Sequence, residues 1–463
     1  MAPLFREAIA GLSLLLACSA FAQVAEAPAP EKLRDWRVPA MEIIGFDFLV
    51  NRVNHCCGTD RQDYAVSVGS IRRNLRGSWD VDADPFNVNQ LGHPYQGSMY
   101  YGFARSSGFD FWESAGFALG GSALWEIAGE RTPPSRNDMI STGIGGTFLG
   151  ESLFRMAHLL LEKGGGMSPF WRETAAAVVS PSTAFNRHLQ GRGPDSIFSS
   201  RGAEYYSRLQ VGFMGTAENT QGNSGVNLKR GELQADFALD YGMPGKEGYV
   251  YSRPFDHFAF QATASSANGV ENVMTRGLLA GRDYKAGSNY RGVWGLYGSY
   301  DYISPQIFRI SSTALSLGTT GHWRGEDVVV QGTALAGLGY AAVGTVNSIS
   351  AALDRDYHYG FAPQALVSAR VIFRDRSSLD LTVRDYFVSD VAANARKGHD
   401  NIARADIAYT WRIKDQHAVT VKYLWNRRDA RYPDIGDRSQ RRGTFGIFYT
   451  LLGQERFGTV DWK

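Results

Sequence analysis

The sequence predicts an exported α+β protein that is mainly β. An N-terminal helical hairpin domain precedes a transmembrane antiparallel β-barrel of about twelve strands. Three observations predict it. The chain opens on a short apolar export segment. Residues from about 97 to 190 keep a period near 3.6, and residues from about 204 onward keep a period of 2. Composition agrees: 463 residues carry 52 Gly, 26 Phe, 22 Tyr and 10 Trp, with no collagen period. Such an aromatic content argues against a disordered chain. The 48 basic and 46 acidic residues leave a net charge of +2, which excludes the strongly basic footprint of a nucleic-acid partner.

The start reads as a secretory signal. Arg6 lies in a short polar opening, Ala8 to Ala20 is almost wholly apolar, and Ala20-Phe21-Ala22 supplies the small residues for cleavage after Ala22. Leu15-Leu16-Ala17-Cys18 offers a second reading, lipoprotein processing at Cys18. Beyond the signal no run reaches the roughly 18 apolar residues of a spanning helix. The expected location is therefore the outer membrane of a Gram-negative cell, with membrane lipid and an envelope protein as partners. Cys56-Cys57 follows His55 in a loop-like stretch; a vicinal disulfide and a pair of free thiols are both open. No second Cys/His pair stands at ligand spacing, so neither a metal nor a cofactor is expected.

The chain divides into a signal at 1–22, a leader and mixed segment at 23–83, a helical domain at 84–200 and a barrel at 201–463. Ala-Pro-Ala-Pro at 27–30 marks a flexible leader to about residue 40, and 41–89 carries no clear period. A first helix is predicted over about Ser98–Ala128. Ser135 caps a second, with Asp138 three residues on, that runs to about Glu162 before Gly164-Gly165-Gly166. A third covers about Trp171–Val179 and stops at Ser180-Pro181. Gly116 with Gly120 and Gly146 with Gly150 predict close backbone approach in a helix hairpin.

The second half alternates strictly. In Val419-Thr420-Val421-Lys422-Tyr423 the odd positions are apolar and the even ones polar, and the same holds at 233–241, 379–384 and 403–411. Strand starts are predicted near 204, 231, 256, 270, 291, 308, 327, 359, 377, 401, 417 and 442. Aromatics toward strand ends (Tyr241, Tyr302, Trp411, Tyr449) fit membrane borders. Connections alternate long and short from residue 342 onward. Two early ones break the pattern: Asn268-Gly269 is tight and 242–254 is long. The polar face offers Glu232, Asp236, Asp240, Asp380, Arg384, Arg404, Asp406 and Lys422, whose mixed signs predict internal salt bridges across a narrow, largely filled lumen.

Chemistry-bearing residues concentrate in the helical half: His93-Pro94-Tyr95-Gln96-Gly97-Ser98, Ala104-Arg105-Ser106-Ser107-Gly108, Trp125-Glu126 with Gly129-Glu130, Pro134-Ser135-Arg136-Asn137-Asp138, and Gly150-Glu151 with Arg155. This pattern, from about Asp84 to Leu160, resembles a bacterial domain-of-unknown-function family. The resemblance implies a Gram-negative exported protein with a helical core before a β-rich tail, and it implies no activity. Pro134-Ser135-Arg136-Asn137 lacks the histidine of the PSGH-type turn of membrane acid phosphatases, so that activity is not carried over.

Two readings of the cluster stand side by side. In one, Glu126, Glu130 and Glu151 face a shared interior with Arg105 and Arg155 as a buried ion-pair network. In the other, His93, held extended by Pro94, is a general base for Ser98 or Ser106 in a lipid- or glycan-acting cleft with Glu126, Glu130 and Glu151. Tyr95, Gln96, Ser135, Asn137, Asp138 and Arg155 are expected in binding or in the structural core around it.

Overall fold

A computed structural model describes residues 34–58, 61–82, 84–164, 166–191, 198–220, 230–344, 357–390, 398–432 and 437–462. The predicted export signal lies outside them. The chain divides into two compact units after Arg201.

Besides the three-residue helical turn Arg136–Asp138, the first unit holds seven helices among the described residues: α1 (Arg37–Cys57), α2 (Val68–Arg76), α3 (His93–Ser106), α4 (Phe111–Leu124), α5 (Gly146–Lys163), α6 (Pro169–Val179) and α7 (Pro181–Leu189). The segment at 41–89, which carries no clear period, thus contains most of α1, all of α2 and the start of the turn leading to α3. The predicted helix over 98–128 is interrupted. Gly108 turns at φ +90°, and Asp110 then opens α4 with a capping box: it accepts from the Glu113 N–H at 2.8 Å while Glu113 accepts from the Asp110 N–H at 2.9 Å. Ser135 caps as predicted, accepting from the Asp138 N–H at 3.2 Å. Ser180-Pro181 ends α6 and also starts α7, since proline suits the first turn of a helix.

Three wide π-helical turns punctuate this unit, at Val88–Gly92, Trp125–Gly129 and Met139–Gly145. The first overturns the extended geometry expected of His93, which is helical at φ −61°, ψ −46°. A regular α-turn would press the Pro94 ring against the carbonyl four residues back; the wider turn leading into α3 relaxes that crowding.

Close helix approach uses one of the two predicted glycine pairs, Gly146 with Gly150. A Cβ on Gly146 would lie 2.6 Å from the Gly97 Cα, and one on Gly150 would lie 2.8 Å from the Tyr101 ring, so α3 and α5 touch there. Gly116 and Gly120 have nothing within 4 Å. Cys56 and Cys57 sit in the last turn of α1, not in a loop, as exposed free thiols.

The second unit is a closed antiparallel barrel. Its strands are β1 (Tyr205–Thr220), β2 (Gly231–Tyr241), β3 (Phe258–Ser265), β4 (Gly269–Ala286), β5 (Tyr290–Ile303), β6 (Arg309–Arg324), β7 (Val328–Gly344), β8 (Tyr357–Phe373), β9 (Ser377–Asp390), β10 (His399–Lys414), β11 (His417–Arg431) and β12 (Arg438–Leu452). Each pairs with its sequence neighbours, and β1 closes on β12 from Arg208↔Leu452 to Thr220↔Arg441. All twelve begin within a few residues of the predicted starts.

The irregular connections are real features. The tight turn before Gly269 joins β3 to β4. The long segment between β2 and β3 folds back on itself: Asp256 accepts from the N–H groups of Ser252 and Arg253 at 3.0 and 2.8 Å. Phe255 takes φ +64° and is fully buried, its ring in space that a side chain at Gly277 would fill. After β12, Phe457 and Val460 pack with Tyr206, Met243, Ile372 and Leu452, and the Gly458 carbonyl accepts from Gln331 at 2.5 Å. These segments narrow the end of the barrel where the chain enters.

Candidate functional site

The helical unit gathers its buried charges into two groups. The first centres on Glu151, which has no exposed surface. Its Oε2 accepts from Arg105 Nε at 3.0 Å and from the Tyr101 hydroxyl at 2.7 Å; its Oε1 accepts from Arg155 Nε at 2.6 Å. Burial opposes ionisation of Glu151, but the Arg105 and Arg155 guanidiniums outweigh it and hold the carboxyl below its ordinary value. Both guanidiniums also stack on Phe198, at 5.1 and 4.8 Å. Nearby His158 bonds the Phe154 carbonyl through Nδ1 at 2.9 Å, and burial lowers it to about 3, so it stays neutral.

The second group centres on His93, Glu126 and Asp138, which are 5%, 3% and 2% exposed. One potential ligand atom from each lies within 4.8 Å of the other two. His93 Nδ1 meets the Thr142 hydroxyl at 3.2 Å, and Nε2 faces Asp138 Oδ2 at 3.9 Å. Glu126 Oε2 accepts from the Ser135 N–H at 2.7 Å. Asn137 donates to Asp138 Oδ1 at 2.9 Å while its own oxygen accepts from Ser135 Oγ and the Asp82 N–H, at 2.8 and 2.9 Å. Glu130 is held to one side by the Trp125 indole at 2.7 Å and the Thr132 hydroxyl at 3.1 Å.

Electrostatics set this group apart. Burial raises Glu126 well above the ordinary carboxyl range, and Asp138, Glu130 and Asp82 add like-charge repulsion. Burial pushes Glu130 up to about 7, with His93 opposing and Asp138 and Asp84 reinforcing the shift. The interior expected to join Glu126, Glu130 and Glu151 with Arg105 and Arg155 is therefore divided. Glu151 takes both arginines, while Glu126 and Glu130 meet His93 and Asp138.

The predicted serines point elsewhere. Ser98 donates to the Tyr95 carbonyl and Ser106 to the Gly102 carbonyl, both at 2.6 Å within α3. Tyr95 is half exposed, and Gln96 donates to the Tyr100 hydroxyl, which in turn donates to Asp47. Sequence reasoning missed Asn74, whose amide donates to the carbonyls of Thr132 and Glu130 at 2.9 and 3.2 Å and so closes the turn that carries Glu126. It also missed Thr142 and Asp82. All three are ordinary polar residues in unremarked surroundings, so only their folded partners reveal them.

The described segments that form both groups fall largely within one family pattern. Residues 78–182 match the family described as Domain of unknown function (DUF3943). No curated protein matches the chain. Among solved structures, the chain is similar to the NanC porin at 8% identity, over 52% of this chain and 98% of that one, with a TM-score of 0.26. It is similar to the outer membrane channel DcaP of Acinetobacter baumannii at 11% identity, over 55% and 98%, with a TM-score of 0.22. Likeness to OpdQ of Pseudomonas aeruginosa stands at 10% identity, 55% and 98%, with a TM-score of 0.21.

Proposed function

We propose that the protein is an outer-membrane barrel with a structural role in the envelope, and that its helical unit stands on the periplasmic side. The observation that carries this reading is the two-faced closed barrel. On β10 and β11 the outward positions are Ile407, Tyr409, Trp411, Val419 and Val421, all exposed, while Arg404, Thr410, Thr420, Lys422 and Arg428 are buried inside. Exposed apolar side chains recur around the wall, including Val211, Leu233, Trp294, Leu317, Leu338, Val367, Leu381 and Ile447. In water such a belt is an aggregation hazard; in lipid it is the solvated surface.

A filled interior favours a structural role over an open conduit. Arg370 on β8 reaches Asp380 at 2.6 Å on neighbouring β9 and Asp240 at 3.1 Å on β2, across the barrel. Arg208 meets Asp380 at 3.4 Å, and Tyr386 donates to Asp301 at 2.8 Å, each between strands far apart in the wall. A lumenal cavity lined by Arg208, Asp240, Arg370 and Asp380 holds about 120 Å³, which is room for a few waters. The chain enters β1 at the end bearing the turns at 287–289, 325–327, 374–376 and 415–416, and short turns mark the periplasmic end of bacterial barrels.

The test is fractionation of the full chain, gel mobility before and after heating in detergent, and conductance in planar bilayers. The expected result is outer-membrane fractionation, a heat-dependent mobility shift and no steady open-pore current. Recovery in the soluble periplasm without a shift rejects the membrane reading. A sustained porin-like current rejects the filled-lumen part alone.

A further inference from the structure

We propose that His93, Glu126 and Asp138 bind one divalent cation, which clamps three separate segments of the helical unit together. The first argument is geometric. Two ligands on one ion at about 2.1 Å lie roughly 3 to 4 Å apart, so atoms already within 4.8 Å of one another close onto an ion with small side-chain shifts.

The second argument is how each ligand is held. His93 is fixed through Nδ1 by the Thr142 hydroxyl, Asp138 through Oδ1 by Asn137, and Glu126 through Oε2 by the Ser135 N–H. Bracing of a ligand through its second atom is the usual outer-shell arrangement of a metal site. The third argument is local backbone. His93 directly follows the π-turn at Val88–Gly92, Glu126 lies within the one at Trp125–Gly129, and Asp138 directly precedes the one at Met139–Gly145. Single π-turns cost regular hydrogen bonding and concentrate at functional sites. Here all three converge on the same point.

Charge supplies the fourth argument. The charges that face Glu126 most strongly are Asp138, Glu130 and Asp82, and Glu130 faces Asp138 and Asp84 besides His93. The like-signed carboxyls gathered around Glu126 favour a cation among them. One imidazole nitrogen and two carboxylate oxygens suit Mn²⁺, Fe²⁺ or Zn²⁺ better than a soft monovalent ion. With all three residues nearly sealed from solvent, the role is structural. The proposal departs from the sequence-based expectation of no metal and does not depend on the membrane reading.

The test uses the full chain in detergent with Cys56→Ser and Cys57→Ser, so that thiols contribute no binding. After chelator treatment the protein is dialysed against Mn²⁺ or Zn²⁺ and the bound metal is counted. About one ion per chain is expected, with His93→Ala and Asp138→Asn each weakening binding by at least ~10-fold. Pulsed electron paramagnetic resonance of the Mn²⁺-loaded protein, with His93 intact, should show coupling to one imidazole nitrogen. This second measurement stands even where a variant fails to fold. Absence of stoichiometric uptake of both ions, uptake unchanged by the substitutions, or Mn²⁺ without nitrogen coupling overturns the proposal.

Discussion

Glu151 and Asp47 show how two buried carboxyls of one helical unit come to opposite electrostatic ends. Glu151 accepts from two arginines and a tyrosine, so Glu151→Gln leaves Arg105 and Arg155 short of their counter-charge in a sealed interior. The expected cost is roughly 3–5 kcal/mol, read as faster hydrogen exchange of the α3 and α5 amides in the full chain. Asp47 meets neutral Tyr100 and Gln96 where Glu151 meets arginines. Burial pushes it up to about 7, although hydrogen bonds from those two residues oppose the shift. The folded state therefore holds this proton more tightly than the unfolded chain, whose Asp titrates near 3.9. Its stabilising contribution is complete below about pH 4 and is lost as pH rises through about 7. Asp47→Asn should accordingly protect the helical unit relative to the parent near pH 8, by no more than about 4 kcal/mol, and confer little near pH 4. Equal effects at both pH values would show that Asp47 is not a buried, proton-retaining acid.

At the scale of elements, the contact of α3 with α5 rests on the absence of side chains at particular points. A Cβ at Gly146 meets the Gly97 Cα at 2.6 Å and the Pro94 carbonyl at 3.0 Å, and backbone cannot yield as a flexible side chain would. Gly146→Ala should force the helices apart and destabilise the unit by about 1–3 kcal/mol. Gly116→Ala, with open space around it, should be neutral or stabilising by up to about 1 kcal/mol. Thermal unfolding of the two variants compared with the parent checks both signs. The predicted glycine pairs were half right for an identifiable reason. The turn at Gly108 resets the phase of the predicted first helix, and each π-turn adds about one residue, rotating the next stretch of helix by about 100°. A face read by 3.6-residue counting does not survive such interruptions. Caps survive because they are local: Ser135 was legible, while Thr142 and Asn74 were not.

In the whole molecule, the barrel was the most legible part. A strand shows one face to lipid and one to the lumen at every second residue, so alternation carries the architecture directly in the order of residues. Trp411 and Tyr449 are exposed as the border reading expects, but Tyr241 and Tyr302 are 1% and 4% exposed, so those two aromatics pack inside instead. Strand number, inward charges and alternating connections were thus written locally along the chain. Tertiary structure alone decided the rest: that Arg370 reaches Asp240 across the barrel, that Glu151 parts company with Glu126 and Glu130, and that His93, Glu126 and Asp138 meet. Those meetings depend on where helix phases are shifted and which helices cross. The period-2 code depends only on the residue and the solvent its side of the wall will face.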